Sequence, residues 1–424
     1  MNQSLPHGTQ MAHSSSTIWS PFSPANRADP YPMYERLRTV DPVHQTQSGD
    51  WIISRYADVC AVLTDKRFST INMPDYFRNK IVQVDNTAVQ LEPIYQATYY
   101  WLLYLNHTVH TRTREVVMKI WPSLNFEHVV QGVIDEISQE LRLKSEQQWA
   151  GNLSPIDVIE DVGKPLPVRV ISRFLGFPAD KVEQLKEWGD LLASVFEPML
   201  SQQKLLAINQ AATDFLAFLE TCIEDHQKNP RSTLIGQLLT KTDSEGQLID
   251  RNDLISLIIN LFVAGEETTR NLIGNGSYLL SQYPEQHERL LQQPDLLRQA
   301  VEEMLRFDSP VQLTSRVATE DVLVSGHLIQ AGQQVYVCFG SANRDEAQFE
   351  KASVFDIGRL KNKHLAFGYG SHFCLGSQLA RMQGIAAFGM LMSKFPHLRV
   401  DTSRAIRRQN LLLRGFATMP TYVV

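Results

Sequence analysis

Hydrophobic and polar positions change period several times along this chain, and each change marks an element. Tyr31–Val40 has helical spacing and is closed by Asp41-Pro42, Trp51–Arg55 alternates like a strand, and Tyr56–Asp65 returns to helical spacing. From His110 to about Asn271 the pattern is mostly helical, in segments separated by Pro122, Pro155, Pro178 and Pro230. Strand-like pieces recur at Val322–Val324, Gln334–Cys338 and Thr418–Val424. Residues 70 to 105 show no such period; they are irregular and aromatic, with Tyr99, Tyr100, Trp101 and Tyr104 close together. A loop of that length is expected to be functional. The architecture predicted is mainly α with small β-sheets. No internal repeat or low-complexity linker interrupts the chain, so residues 21–424 are expected to form a single large domain behind a disordered segment at 1–20.

The stretch from Ile255 to Arg270 breaks its own pattern. Its first half is apolar nearly all round, the mark of a buried helix. Then come Ala264, Gly265, Glu266, Glu267, Thr268 and Thr269, after which the apolar pattern resumes at Leu272 and Ile273. One reading makes this the surfacing end of a helix that starts at Asp253. Resumption of the apolar pattern favours the other, a polar insert inside a buried helix, which is costly unless it works. A mid-helix Thr268 can bond the carbonyl of Ala264 and bend or open the helix, and Gly265 eases that distortion and leaves room for a small ligand.

Composition narrows the field. The chain has 424 residues, 43% of them hydrophobic, enough for a substantial core. A net charge of −6 argues against a nucleic-acid binder that works by neutralising phosphates. Cys60, Cys222, Cys338 and Cys374 are scattered with neither disulfide nor zinc spacing, which suits a reducing cytoplasm. The polar N-terminus lacks a secretion signal, and no apolar run is long enough for a membrane anchor.

Cys374 stands out because it follows Phe367, Gly368, Tyr369, Gly370, Ser371, His372 and Phe373, precedes Leu375 and Gly376, and leads into a helical run, Leu379 to Phe395. Glycines allow tight turns and close approach of something flat. A cysteine at a helix start has its thiolate stabilised. By itself it is compatible with a small buried residue, a nucleophile awaiting a histidine base, or a metal ligand. Two further groupings carry chemistry. Glu303 and Arg306 share a helix face at i,i+3 and can pair. His110-Thr111-Arg112-Thr113-Arg114 offers fixed donors of the kind carboxylates prefer.

These motifs, in this order between positions 106 and 376, resemble those of the cytochrome P-450 family, the haem-thiolate monooxygenases of soluble bacterial type. The resemblance implies the P-450 fold, with haem b between the long central helix and the cysteine loop and Cys374 as its axial iron ligand. It implies that His110, Arg114, Arg316 and His372 hold the propionates, and that Ala264, Gly265, Phe367, Gly368 and Gly376 lie against the cofactor. Glu267 and Thr268 match the acid–alcohol pair that manages protons during oxygen activation, glutamate replacing the more usual aspartate. The resemblance gives Glu303 and Arg306 a structural role, joined by an arginine further on for which Arg344 and Arg359 are the matching positions. By analogy the pocket is lined by the 70–105 loop, Phe174–Leu205, Val263–Thr268, Val311–Thr314 and Phe416–Thr418, with Val263, Val311, Phe416 and Ala417 as apolar walls and Gln312 and Thr314 as polar orienters.

The function implied is insertion of one atom of dioxygen into an apolar small molecule, by hydroxylation or epoxidation, in a cytoplasmic monomer. A polyketide-like secondary metabolite is the expected substrate, with a fatty acid or a carrier-protein-bound chain as the alternative. Electrons would come from a separate ferredoxin or flavodoxin docking on a basic face, with Arg112, Lys119, Lys361 and Lys363 as candidates. A peroxygenase is disfavoured by the retained acid–alcohol pair. A haem-binding protein without turnover is the reading from a different class.

Overall fold

Trp51, Ile52 and Ile53 are all buried, so the strand they form needs partners on both edges, and it finds one of them almost 300 residues away. The computed structural model describes residues 18–70, 73–78, 80–84, 87–146, 153–197 and 200–423. In it β1 (Val43–Gln45), β2 (Trp51–Ile53), β3 (Phe68–Ser69), β4 (Leu313–Ala318) and β5 (Gln334–Cys338) form a five-stranded sheet in the order β1-β2-β5-β4-β3. Only the β2–β5 pair is parallel, setting Trp51 beside Val335 and Ile53 beside Val337. The expected strand at Thr418–Val424 is divided. Phe416–Thr418 pairs with Ile406–Arg407, while Pro420–Val423 joins Leu398–Val400 and Leu153–Asp157. Val424 and residues 1–17 of the expected disordered start lie outside the described residues; Ile18 and Trp19 pack on the cluster around Tyr31 and Leu37.

Helices make up the rest: α1 (Tyr31–Val40), α2 (Tyr56–Thr64), α3 (His107–Ile120), α4 (Phe126–Ser145), α5 (Pro165–Leu175), α6 (Val182–Ala193), α7 (Gln202–Lys228), α8 (Arg251–Gln282), α9 (Leu297–Phe307) and α10 (Ser377–Lys394). Helix α8 is the axis of the fold. Asp250 caps its start by accepting from the Asn252 N–H at 2.9 Å, and Tyr283-Pro284 ends it. Leu257, Ile258, Ile259 and Phe262 are fully buried, each contributing about 1.5–3 kcal/mol. Helices α5 and α6 pack on α8, as do α9 and α10.

The stretch from 70 to 105 is more ordered than its sequence suggests. It holds a short helix (Met73–Arg78), a hairpin (Ile81–Val84 with Thr87–Gln90) and a second helix (Glu92–Thr98). Its core face is Leu91, Ile94, Ala97 and Trp101, all fully buried at roughly helical intervals. The surrounding tyrosines, only partly buried, blur that period.

A buried ion cluster joins α9 to the segment leading into the cysteine loop. Arg306 makes a two-pronged bond to Glu303, both contacts 2.8 Å, and spends its other donors on the carbonyls of Asn343, Ala352 and Val354. The third member is Arg359, whose Nε lies 3.0 Å from Glu303. Arg344 takes no part: it donates to the Phe307 carbonyl and lies over the rings of Tyr31 and Phe307. The Asp356 N–H and the Asn362 amide complete the glutamate's shell. Glu303→Gln keeps the volume but strips both arginines of their anion. We expect stability to fall by about 3–5 kcal/mol, the cost of breaking a buried pair from one side, measured as a lower urea midpoint with unchanged slope.

Candidate active site

Backbone geometry sets the cysteine loop. Gly368 and Gly370 have φ of +74° and +73°, which side-chain-bearing residues rarely adopt, and they fold the chain back so that the Cys374 N–H reaches the Phe367 carbonyl at 2.8 Å. Cys374 is half-buried and stands just before the first turn of α10. Burial pushes its thiol pKa up, opposed by the Gly376 N–H and by the charges of Arg114 and Arg381. The loop is pinned from outside. Arg381 lies over the Phe367 ring at 4.4 Å and bonds Glu302 at 2.6 Å, and His364 bonds the same carboxylate at 3.0 Å. Leu272 of α8 and Phe367 belong to one apolar cluster, with Cys374 packed against it.

Four basic groups from three distant segments converge beside this loop. The rings of His110 and His372 lie 4.1 Å apart, and the charges of Arg114 and Arg316 act on both. Burial, reinforced by those arginines, lowers His110 to about 4 and, with His110 itself, His372 to about 3. Burial also lowers Arg316 to about 10. Among the described residues none of the four has a carboxylate partner. Two guanidiniums without counter-ions, beside two neutral imidazoles that can still donate, suit an anionic ligand, and the two arms of a dianionic ring system fit such a chemistry.

The polar insert of α8 is divided between two faces. Ala264 is exposed, and Gly265 and Thr268 are partly so, in a helix whose neighbouring residues are buried. The Thr268 hydroxyl donates to the Ala264 carbonyl at 3.0 Å, the predicted bond, yet the helix continues unbroken to Gln282. Gly265 points elsewhere: a Cβ there would touch Ile171 of α5 at 3.5 Å. Glu267 is turned away from Thr268 into a buried charge cluster. Arg408 donates to both its oxygens at 2.7 and 2.6 Å, Arg270 bonds it closely, and the Asn271 amide lies at 3.2 Å. Burial raises the Glu267 pKa against the pull of Arg270. Gly415 permits this approach of the C-terminal segment, because a Cβ there would lie 1.9 Å from Asn271.

The pocket candidates separate in the same way. Thr314 is half-buried and shares a face of β4 with Arg316, two residues on. Val311 is also partly open and forms an isolated bridge with Leu413, so Leu413 is the C-terminal residue beside it. Gln312 is no orienter: it is buried, its amide donates to Ser309 at 2.7 Å, and its carbonyl fills the space that a side chain at Gly340 would need. Phe416 packs away from Thr268, against Tyr278 at 4.9 Å and under Arg407 at 4.1 Å. Ala417 is half-buried in the same strand, and Val263 is buried in α8. Sequence spacing gave no sign of Arg408, Asp190 or Leu413; isolated, each looks like any surface charge or core leucine.

Of the basic residues considered for partner docking, Arg112 is tied to Asp243 at 2.7 Å and Lys119 to Glu115 at 2.9 Å. Lys361 and Lys363 are exposed on the segment entering the cysteine loop. Among the described residues no helix is long and apolar enough to cross a membrane.

Comparison with known proteins agrees with this geometry. The family model described as cytochrome P-450 matches residues 97–421. Putative cytochrome P-450 YjiB of Bacillus subtilis is 34% identical, covering 87% of this chain and 88% of its own. Polyketide biosynthesis cytochrome P-450 PksS of the same organism is 31% identical, covering 98% and 97%. Among solved structures, P-450 BioI in complex with an acylated acyl carrier protein superposes with a TM-score of 0.83 at 30% identity, covering 94% of this chain and 100% of that one. With a buried helix exposed locally at Ala264 and Thr268, a turned-back cysteine loop and a family match over most of its length, the chain belongs to the cytochrome P-450 family and is a monooxygenase.

Proposed function

We propose that this enzyme inserts one oxygen atom of dioxygen into an apolar, polyketide-like secondary metabolite, using haem b held by Cys374 and electrons from a separate ferredoxin or flavodoxin. The observation that carries the reading is the acid–alcohol pair on α8, with Thr268 on an open stretch of a buried helix and Glu267 behind it in a charge cluster. The haem supplies dioxygen activation and electron storage when bound. The chain supplies the rest. Cys374 provides the thiolate, and Arg114, Arg316, His110 and His372 match the carboxylate arms. Thr268 donates its hydroxyl proton to the Ala264 carbonyl, so its oxygen lone pairs remain to accept from a water and orient it. Glu267 has its proton affinity raised by burial, so it can hold and pass a proton at its carboxyl group once Arg408 or Arg270 loosens.

A polyketide-like substrate is supported by the match to PksS over nearly its whole length. Similarity extends to Cytochrome P-450 monooxygenase PikC of Streptomyces venezuelae at 32% identity. An acyl chain delivered by a carrier protein is the second reading, favoured by the complete coverage of P-450 BioI, whose structure holds such a carrier.

Thr268→Ala is expected to leave electron consumption running while product per electron pair falls by about tenfold or more, the shortfall appearing as hydrogen peroxide. Full coupling in that variant contradicts the role of the pair. Titration with macrolactones, free fatty acids and acylated carrier protein, read as the low-to-high spin shift of the haem spectrum, assigns the substrate. Macrolactones alone should give a saturable shift; a shift with acylated carrier alone supports the second reading instead.

A further inference from the structure

Glu266, which neither the acid–alcohol pair nor the haem contacts require, is the one carboxyl among the described residues with both oxygens buried and without a hydrogen bond. Its side chain is fully buried, and neither carboxyl oxygen has a hydrogen-bond partner. The guanidinium of Arg270 lies 3.2 Å from it but is committed to Asp190 at 2.5 Å and to Glu267. Asp190, on α6, Glu266 and Glu267 offer oxygens that all lie within 4.8 Å of one another. Two guanidiniums stand among these three carboxyls, Arg270 and Arg408, the latter 3.8 Å from Asp190 and 2.6 Å from Glu267. Oxygens of Asp190 and Glu267 that a metal cation would need are thus already taken by guanidinium donors. Lys164, which also acts on Glu266, is already bonded to Glu160. Glu197, facing Glu267 from the other side, adds negative charge.

Charge counting then decides the state of the cluster. Three ionised carboxylates against Arg270 and Arg408 leave a net negative charge in a dry interior, where an uncompensated ion costs several kcal/mol. Retaining one proton removes that cost, and the carboxyl without hydrogen bonds is the one that loses least by holding it. Burial, with Asp190 and Glu267 adding to it, pushes Glu266 up to about 8. Asp190 has the opposite setting: its side chain is 32% exposed, so it meets solvent while touching the cluster.

We propose that Glu266 is a proton store and that Asp190, Glu266 and Glu267 form a relay carrying protons from the outer surface of α6 to the acid–alcohol pair. The relay rests on the reading of Glu267 and Thr268 given above. In each transfer the Glu266 O–H bond breaks as a Glu267 O–H bond forms; Asp190 then takes up a proton from bulk solvent, and its O–H bond breaks as the Glu266 O–H bond re-forms. Arg270 and Arg408 remain charged throughout, and one of them loosens from Glu267 as that carboxylate takes the proton. Glu266 is thus a positioning residue, acting through Glu267.

The test is a pH-difference infrared spectrum of the holoenzyme together with its coupling efficiency. Wild type should show the carbonyl stretch of a protonated buried carboxyl at neutral pH, titrating near pH 8, and this band should vanish in Glu266→Gln, an isosteric change that keeps the cluster neutral. The same variant should lose several-fold in product per electron pair, lose the alkaline limb of its pH profile and recover in part as Glu266→Asp. Absence of the band from wild type, or its persistence in Glu266→Gln, overturns the proposal. So does unchanged coupling in Glu266→Gln while Thr268→Ala uncouples; if Thr268→Ala itself stays coupled, the underlying acid–alcohol reading fails first.

Discussion

Burying charge is the constraint on which this molecule turns. Water removed from an ion costs several kcal/mol, so each charged group inside must be matched, left protonated or reserved for something that arrives later. All three solutions occur here, each at a different place. Glu303, Arg306 and Arg359 are matched donor for acceptor, and that cluster fixes the path of the chain into the cysteine loop. Asp190, Glu266 and Glu267 outnumber their guanidiniums. Among the described residues Arg114 and Arg316 have no carboxylate partner, and His110 and His372 beside them are held neutral. The matched cluster builds, and the two unmatched ones are where chemistry is possible.

Helix α8 joins these environments. Its apolar first half anchors it in the core, so the polar turn that follows is held rigidly rather than fraying to solvent. Thr268 and the acidic side chains point in different directions from that turn. One face is partly open, and the other is closed by Arg270 and Arg408. The C-terminal segment contributes through Arg408, which reaches Glu267 because Gly415 lets the backbone lie almost against Asn271.

Much of this was legible in the sequence. Helical periods located α1, α2 and α8, and local motifs with fixed spacing singled out Cys374, Glu303 with Arg306, His110 with Arg114, and Glu267 with Thr268 as candidates. What escaped were contacts between segments far apart in sequence. Arg344 and Arg359 were equal candidates for Glu303 until the fold placed one over Tyr31 and the other on the carboxylate. Gln312 and Phe416 sat in the right segments, but their side chains turn into the core, because a single residue's direction depends on the packing around it. The 70–105 stretch hid a regular apolar face among tyrosines that are only partly buried. Arg408 and Asp190 carried no motif; only the fold brings them to α8.

The account stands or falls on Cys374 as a thiolate ligand, and the difference spectrum of the dithionite-reduced protein with carbon monoxide tests it most directly. A strongly red-shifted Soret band in wild type, replaced by the unshifted band of a neutral-ligand haem in Cys374→Ser, is the predicted result. A wild-type spectrum without the shift, or a Cys374→Ser variant that keeps it, would contradict the assignment.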